Sequence, residues 1–308
     1  MEQLAIFTSK DLRLAGTLRV PDSTFTSAAV LLIPGSGQVD RNENHKKLHI
    51  NALKEIADYL TDRRMVTFRY DKRGVGLSEG NYWQTGFYDN VADASAALDY
   101  LRVQPECLNK PLFVLGHSEG ALIATRLAAE RVEITGAILL AGSAQTGEAV
   151  LQWQAAKVAK SLSGFNKLLI KLLRVNVLKT QQKYLHKIKT TSKDWIRQGL
   201  TRKINAKWLR EFMVYNPADD LPKIRVPLLA ATGAKDIQVN PLDLELMAKL
   251  VKTDFESHQI PNMTHLLRTE TGEPTISTYT KQIKQPLDSQ LLELIGDWLS
   301  RKTGIPAG

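Results

Sequence analysis

Leu112-Phe113-Val114-Leu115-Gly116-His117-Ser118-Glu119-Gly120-Ala121-Leu122-Ile123-Ala124 decides how the rest of the chain is read. Four apolar residues without alternation read as a strand buried on both faces, and the stretch Ala121 to Ala129 carries the three- and four-residue apolar spacing of a helix. Gly-x-Ser-x-Gly is a common string, and Ser118 alone could be a helix cap. The strand before it and the helix after it turn the string into a mechanism. A serine on so tight a turn sits in strained backbone geometry, and side chains two residues to either side would collide with neighbouring elements. Its hydroxyl stands exposed at the C-terminal edge of the sheet, beside free amides and the positive end of a helix dipole. His117 points away from its neighbour's hydroxyl in such a turn and is read as structural, Glu119 as a first-turn acid favoured by the dipole.

Outward from this turn the same grammar repeats. Val30-Leu31-Leu32-Ile33, Val66 to Tyr70, Ala137 to Leu140, Val226 to Ala231 and Phe255 to Ile260 are further strands; Ile50 to Leu60, Val91 to Leu101 and Leu287 to Trp298 are helices. Alternation of strand and helix implies parallel strands joined by right-handed crossovers, an α/β class. Gln3 to Thr8 and Arg13 to Val20 alternate in polarity across Ser9-Lys10-Asp11 and read as a leading antiparallel pair. Between Ser143 and Asp220 no strand-like run occurs, only helix-forming stretches such as Leu168 to Leu178 and Trp195 to Leu209. The expected organisation is a core of residues 1–142 and 221–308 interrupted by a helical cap, 143–220.

A serine hydroxyl needs a neutral imidazole to take its proton and a carboxylate to fix the imidazole's tautomer. In the fold to which such a strand-to-helix nucleophile turn belongs, the chain order is serine, acid, histidine. His45 and His49 precede the serine, His186 lies in the inserted segment and His258 within a strand. His265, in a loop after the last strand, is the candidate base. Asp236, in Thr232-Gly233-Ala234-Lys235-Asp236, follows the penultimate strand on the serine's edge and is the candidate acid. The developing oxyanion needs two donors: the amide of Glu119, and an amide from Ile33-Pro34-Gly35-Ser36-Gly37-Gln38, with Ser36 preferred over Gly37. A phosphate-binding reading of that glycine loop lacks the Gly-Lys-Ser/Thr that should follow.

The net charge of +9 is local. Leu151 to Arg210 holds 15 Lys and Arg against one acid, Asp194, leaving 26 basic and 31 acidic residues elsewhere. Three readings compete: a solvated helical face, attraction of an anionic membrane surface or substrate, and nucleic acid, which no recognition motif supports. Cys107 is the single cysteine, which excludes an internal disulfide and a multi-cysteine zinc site. With no signal-peptide pattern and no apolar run of spanning length, a cytoplasmic protein is expected.

Taken together these residues resemble the α/β-hydrolases, and within them bacterial esterases that carry Pro-Gly-Ser-Gly followed by Asp-Arg, here Pro34 to Gly37 with Asp40 and Arg41. Tyr70-Asp71-Lys72-Arg73-Gly74-Val75-Gly76-Leu77-Ser78 resembles the family's turn after its fourth strand. Proline stands where a histidine often precedes the oxyanion glycine, a departure the esterase subgroup shares. The resemblance covers all but the cap. It implies an eight-stranded, mostly parallel sheet, catalysis without metal or cofactor, and a cap that shapes the pocket. Asp40 and Arg41 are either a salt bridge holding the oxyanion loop or a solvated pair. The expected substrate is a small carboxylic ester of short to medium acyl chain. Lysophospholipids, thioesters and peptides are alternatives for the same triad, as is a silent fold used for binding. The oligomeric state is left open.

Overall fold

The computed structural model describes residues 1–23, 25–46, 48–161, 177–199 and 202–304. Eight strands form one sheet: β1 (Glu2–Ser9), β2 (Leu12–Arg19), β3 (Ala28–Ile33), β4 (Met65–Tyr70), β5 (Leu112–His117), β6 (Gly136–Leu140), β7 (Leu228–Gly233) and β8 (Phe255–Ile260). Their order is β1-β2-β4-β3-β5-β6-β7-β8. β3 to β8 run parallel, and β2 is antiparallel to both β1 and β4. This is the eight-stranded, mostly parallel sheet that the resemblance implies.

Both faces of the sheet are covered, which is why β3 to β7 are buried at every position. Ala29, Leu31 and Ile33 face one core, built with α2 (Phe87–Arg102) and α3 (Glu119–Glu130). Their neighbours Ala28, Val30 and Leu32 face the other, where α1 (Ala52–Asp62) and the closing helix α8 (Ser289–Thr303) pack through Leu53, Ile56, Ile295 and Trp298. The edge strand β8 is exposed at alternate positions and polar there; His258 in it pairs with Glu256 at 2.9 Å, a surface role.

The segment after β6 holds α4 (Gly147–Ser161), α5 (Val177–Thr190), a two-stranded hairpin (Trp195–Gln198 with Arg202–Asn205) and α6 (Ala206–Val214) before β7 and its following helix α7 (Asp243–Leu250). The hairpin corrects the expectation of helix from Trp195 to Leu209. Trp195, Ile196 and Ile204 are strand formers, Gly199 turns with φ +63, and Asn205 stops the strand by capping α6 through Trp208 N. The stretch Leu168 to Leu178 lies outside the described residues except for its last two. Leu185, Ile188, Ile196, Ala206 and Met213 form a small core of this segment's own.

Candidate active site

β5 runs into His117 and α3 opens at Glu119, leaving Ser118 on the turn with φ 56 and ψ −116, a conformation that side chains rarely adopt. Its flanking glycines are steric necessities. A Cβ on Gly116 would stand 1.9 Å from Gly120 O, and one on Gly120 2.1 Å from Ile33 O. The loop after β8 brings His265 over this turn, with Nε2 3.1 Å from Ser118 Oγ. The loop after β7 brings Asp236, whose Oδ2 lies 2.8 Å from His265 Nδ1. Asp236 is in turn fixed by the amides of Gln238 and Val239, which donate to Oδ1 at 2.7 and 2.9 Å. Asp236 and His265 are buried and Ser118 is half-buried, open to a reactant. The three residues singled out in the sequence therefore meet, with Nδ1–H facing a carboxylate and Nε2 facing a hydroxyl.

The loop after β3 lies across the turn and is clamped on two sides. Gly35 N–H donates to Glu43 Oε1 at 2.5 Å, and Gly35 O accepts from Lys72 Nζ at 3.0 Å. In a trans peptide the carbonyl and the next amide point in opposite directions, so the lysine on Gly35 O aims Ser36 N–H away from itself. Ser36 N–H and Glu119 N–H have no acceptor among the described residues. Lys72 Nζ also donates to Glu119 Oε2 at 2.8 Å, so one buried cation touches Glu119 and the carbonyl of the peptide that carries the Ser36 amide. Arg41 pairs with Asp71, not Asp40, through Nη2 to Oδ2 at 2.6 Å and Nε to Oδ1 at 3.0 Å. Asp40 instead accepts the amides of Asn42 and Asn44 and closes its own turn. Of the two alternatives for Asp40 and Arg41, a mutual salt bridge or a solvated pair, neither forms: Arg41 is held by Asp71, and Asp40 by the amides of its own turn.

Residues 46–272 match the hydrolase family described as serine aminopeptidase, S33. The chain belongs to that family. Esterase EstD of Thermotoga maritima is 26% identical over 298 residues, covering 95% of this chain and 68% of its own. Among solved structures, Est1E from Butyrivibrio proteoclasticus superposes with a TM-score of 0.63 at 16% identity, covering 98% of this chain and 99% of its own. Proline iminopeptidase of Mycobacterium smegmatis does so with a TM-score of 0.64 at 13% identity, covering 98% and 99%. The family's α/β-hydrolase fold thus serves both esterases and peptidases, and this chain is an esterase-type α/β-hydrolase.

Around the serine of this hydrolase two buried ion pairs were not legible in the sequence. His117 Nδ1 stands 3.0 Å from both Glu43 oxygens, and Nε2 2.9 Å from the carbonyl of His265. Both ring nitrogens face acceptors, so the ring must donate twice and carry a charge. Burial opposes that charge, but Glu43 outweighs it and raises the His117 pKa; burial likewise pushes Glu43 up, and the His117 charge with the Gly35 amide brings it below its ordinary value. Glu119, read as a first-turn acid favoured by the dipole, is buried and accepts from Lys72, from Asn90 Nδ2 at 2.8 Å and from Trp208 Nε1 at 2.6 Å. Its partners lie far away in sequence, and only the charge complement of Lys72 in the Asp71-Lys72-Arg73 turn hinted at them.

Two clefts flank Ser118. One runs beneath the inserted segment, walled by Leu122, Leu151, Trp208, Phe212 and Val239, with the Trp208 and Phe212 rings stacked at 4.7 Å. The other opens beside His265, walled by Val39, Leu48, Ile50, Leu266 and Tyr279. Ser36 lines both; Gly37 lines neither. Among the described residues no helix is long and apolar enough to cross a membrane, and no group of acids, histidines or cysteines is arranged to hold a metal.

Proposed function

We propose that this hydrolase cleaves carboxylic esters of short to medium acyl chain through an acyl-enzyme on Ser118. The observation that carries the reading is the continuous contact from Ser118 Oγ through His265 to Asp236, at 3.1 and 2.8 Å. Ser118 Oγ bonds to the acyl carbon while its proton passes to His265 Nε2, and Asp236 holds the resulting imidazolium. The oxyanion takes the Ser36 and Glu119 amides, Ser36 being favoured over Gly37 because it lines the same clefts as Ser118. As the tetrahedral adduct collapses, the ester C–O bond breaks and His265 returns the proton to the leaving alcohol. Water then repeats the sequence on the acyl-enzyme and frees the acid and Ser118. The leaving alcohol must sit beside its proton donor, which gives it the cleft at His265 and gives the acyl chain the apolar cleft at Val150, Leu151, Trp208 and Phe212, part of the proposed cap of residues 143–220.

The family's description favours a second reading, aminopeptidase. A free α-amine needs an available carboxylate near the serine. Among the described residues of the two clefts the carboxylates are Glu43 and Glu119, and both are already committed, to His117 and to Lys72. That supports the ester. Cys107, buried and unpaired, is in keeping with a reducing cytoplasm.

The test is kcat/KM across p-nitrophenyl esters from acetate to palmitate, with Ser118→Ala as blank and alanine p-nitroanilide as the peptidase control. A maximum at short to medium chains is expected. A maximum at palmitate points to lipid substrates, faster anilide cleavage to the peptidase, and no Ser118-dependent turnover to a binding protein.

A further inference from the structure

The hairpin of the inserted segment stands against the oxyanion loop, and the groove between them is lined by His45, Tyr82, Trp83, Arg202, Lys203 and Trp208. Among the described residues no carboxylate lines it. It adjoins the apolar cleft at Ser118, since Ser36 and Trp208 wall both. Resting on the ester-hydrolase reading, we infer that this groove is a subsite for an anionic group, a carboxylate or phosphate, at the far end of the substrate's acyl chain.

The cations of the groove differ from others of the same segment. Lys189 is neutralised by Glu148 and Lys207 by Asp89, each at 2.7 Å. Arg202 and Lys203 have no carboxylate within salt-bridge distance among the described residues. Lys203 is not loose for want of one. Its Nζ lies 4.1 Å from the Trp195 ring centroid and 4.7 Å from that of Trp83, held by two aromatic faces that fix a cation without cancelling its charge. Arg202, the next residue, adds a planar fork suited to two oxygens of one anion. The ammonium of half-buried Lys203, set between indoles beside a guanidinium and with no acid among the described wall residues, is a charge complement left open on the approach to the serine. It also gives one stretch of the basic segment a task other than solvation.

The deciding comparison is between p-nitrophenyl hemiesters of dicarboxylic acids, succinate to suberate, and p-nitrophenyl esters of monocarboxylic acids of equal length. The hydrolase is expected to favour one or more hemiesters about tenfold in kcat/KM at low ionic strength, with the preference shrinking as salt is raised. In Arg202→Gln/Lys203→Gln the hemiester-to-ester ratio should fall towards one. Glutarate or inorganic phosphate should compete with the favoured hemiester, and whichever competes more strongly identifies the anion. A wild-type ratio of one or less overturns the subsite, as does a preference that survives the double substitution. So does loss of binding to phosphatidylserine vesicles in that variant with no hemiester preference in the wild type, which would assign the cations to a membrane. If neither ester series shows Ser118-dependent turnover, the hydrolase reading has failed. The subsite is then read by glutarate titration of tryptophan fluorescence in Ser118→Ala: saturation that disappears with the two added glutamines upholds it, and a flat response overturns it.

Discussion

The residues that do not touch the substrate show most clearly how the site is held. Lys72 aims one of the proposed oxyanion amides through Gly35 O and steadies the residue that carries the other. Its replacement by methionine keeps the aliphatic stem and removes the donors. We expect kcat to fall about 10- to 100-fold, less than or comparable to the loss of a whole oxyanion donor, with KM nearly unchanged. Steady-state kinetics with a circular dichroism control checks this. Glu43→Gln leaves His117 a buried cation without its counterion and should cost about 3 kcal/mol of stability. The pH dependence has a definite sign. The His117 pKa is raised, so its contribution is complete below its ordinary 6.5 and is lost as pH rises through the raised value. That of Glu43 is lowered, so its contribution is present above the ordinary 4.5 and is lost as pH falls through the lowered value. Denaturant melts should therefore show the widest gap between wild type and Glu43→Gln between pH 4.5 and 6.5, narrowing on both sides.

At the scale of elements, the site is a meeting of strand ends. β3, β4, β5, β7 and β8 deliver Ser36, Lys72, Ser118, Asp236 and His265 to one edge of the sheet, and spacing there is set by how closely α3 can approach β3. Gly120→Ala would drive a Cβ to 2.1 Å from Ile33 O, so the helix must retreat from the strand. We expect a loss of about 4 kcal/mol or failure to fold, seen as a lowered denaturation midpoint or insoluble expression. The elements themselves were readable because a strand buried on both faces has no alternation, as in Val30 to Ile33, and a helix on a core repeats every three to four residues, as in Val91 to Leu101. Triad candidates followed from their places at strand ends. The hairpin was not readable: Trp195, Ile196, Ile204, Trp208 and Leu209 also fit a helical stripe, and a short two-stranded ribbon is stabilised by what it packs on. The ion pairs His117–Glu43 and Lys72–Glu119 join positions 74 and 47 apart, a pairing that depends on crossovers no local pattern encodes.

For the whole molecule, Cys107 offers a probe. It lies in the connection from α2 to β5, buried, its thiol pushed up to about 12 by burial, with the Glu106 charge adding to the shift. At pH 8 a disulfide reagent should find almost no thiolate in the native state and one full equivalent in concentrated guanidinium. Labelling at intermediate denaturant then reports opening of the whole core; fast native labelling would show that this region opens by itself. The two cores on either face of the sheet include residues from both ends of the chain, which is why no smaller unit should expose it.

The backbone at Ser118 carries a further implication, one about history. With φ at 56 and ψ at −116 this position suits glycine better than serine, and Ser118→Gly is expected to raise stability by about 1 kcal/mol while ending turnover. A lineage released from its chemistry would therefore meet no resistance from folding in giving up this residue; the relaxed form is the sturdier protein. A strained serine between two obligatory glycines is thus what the proposed chemistry, and not folding, asks of this position.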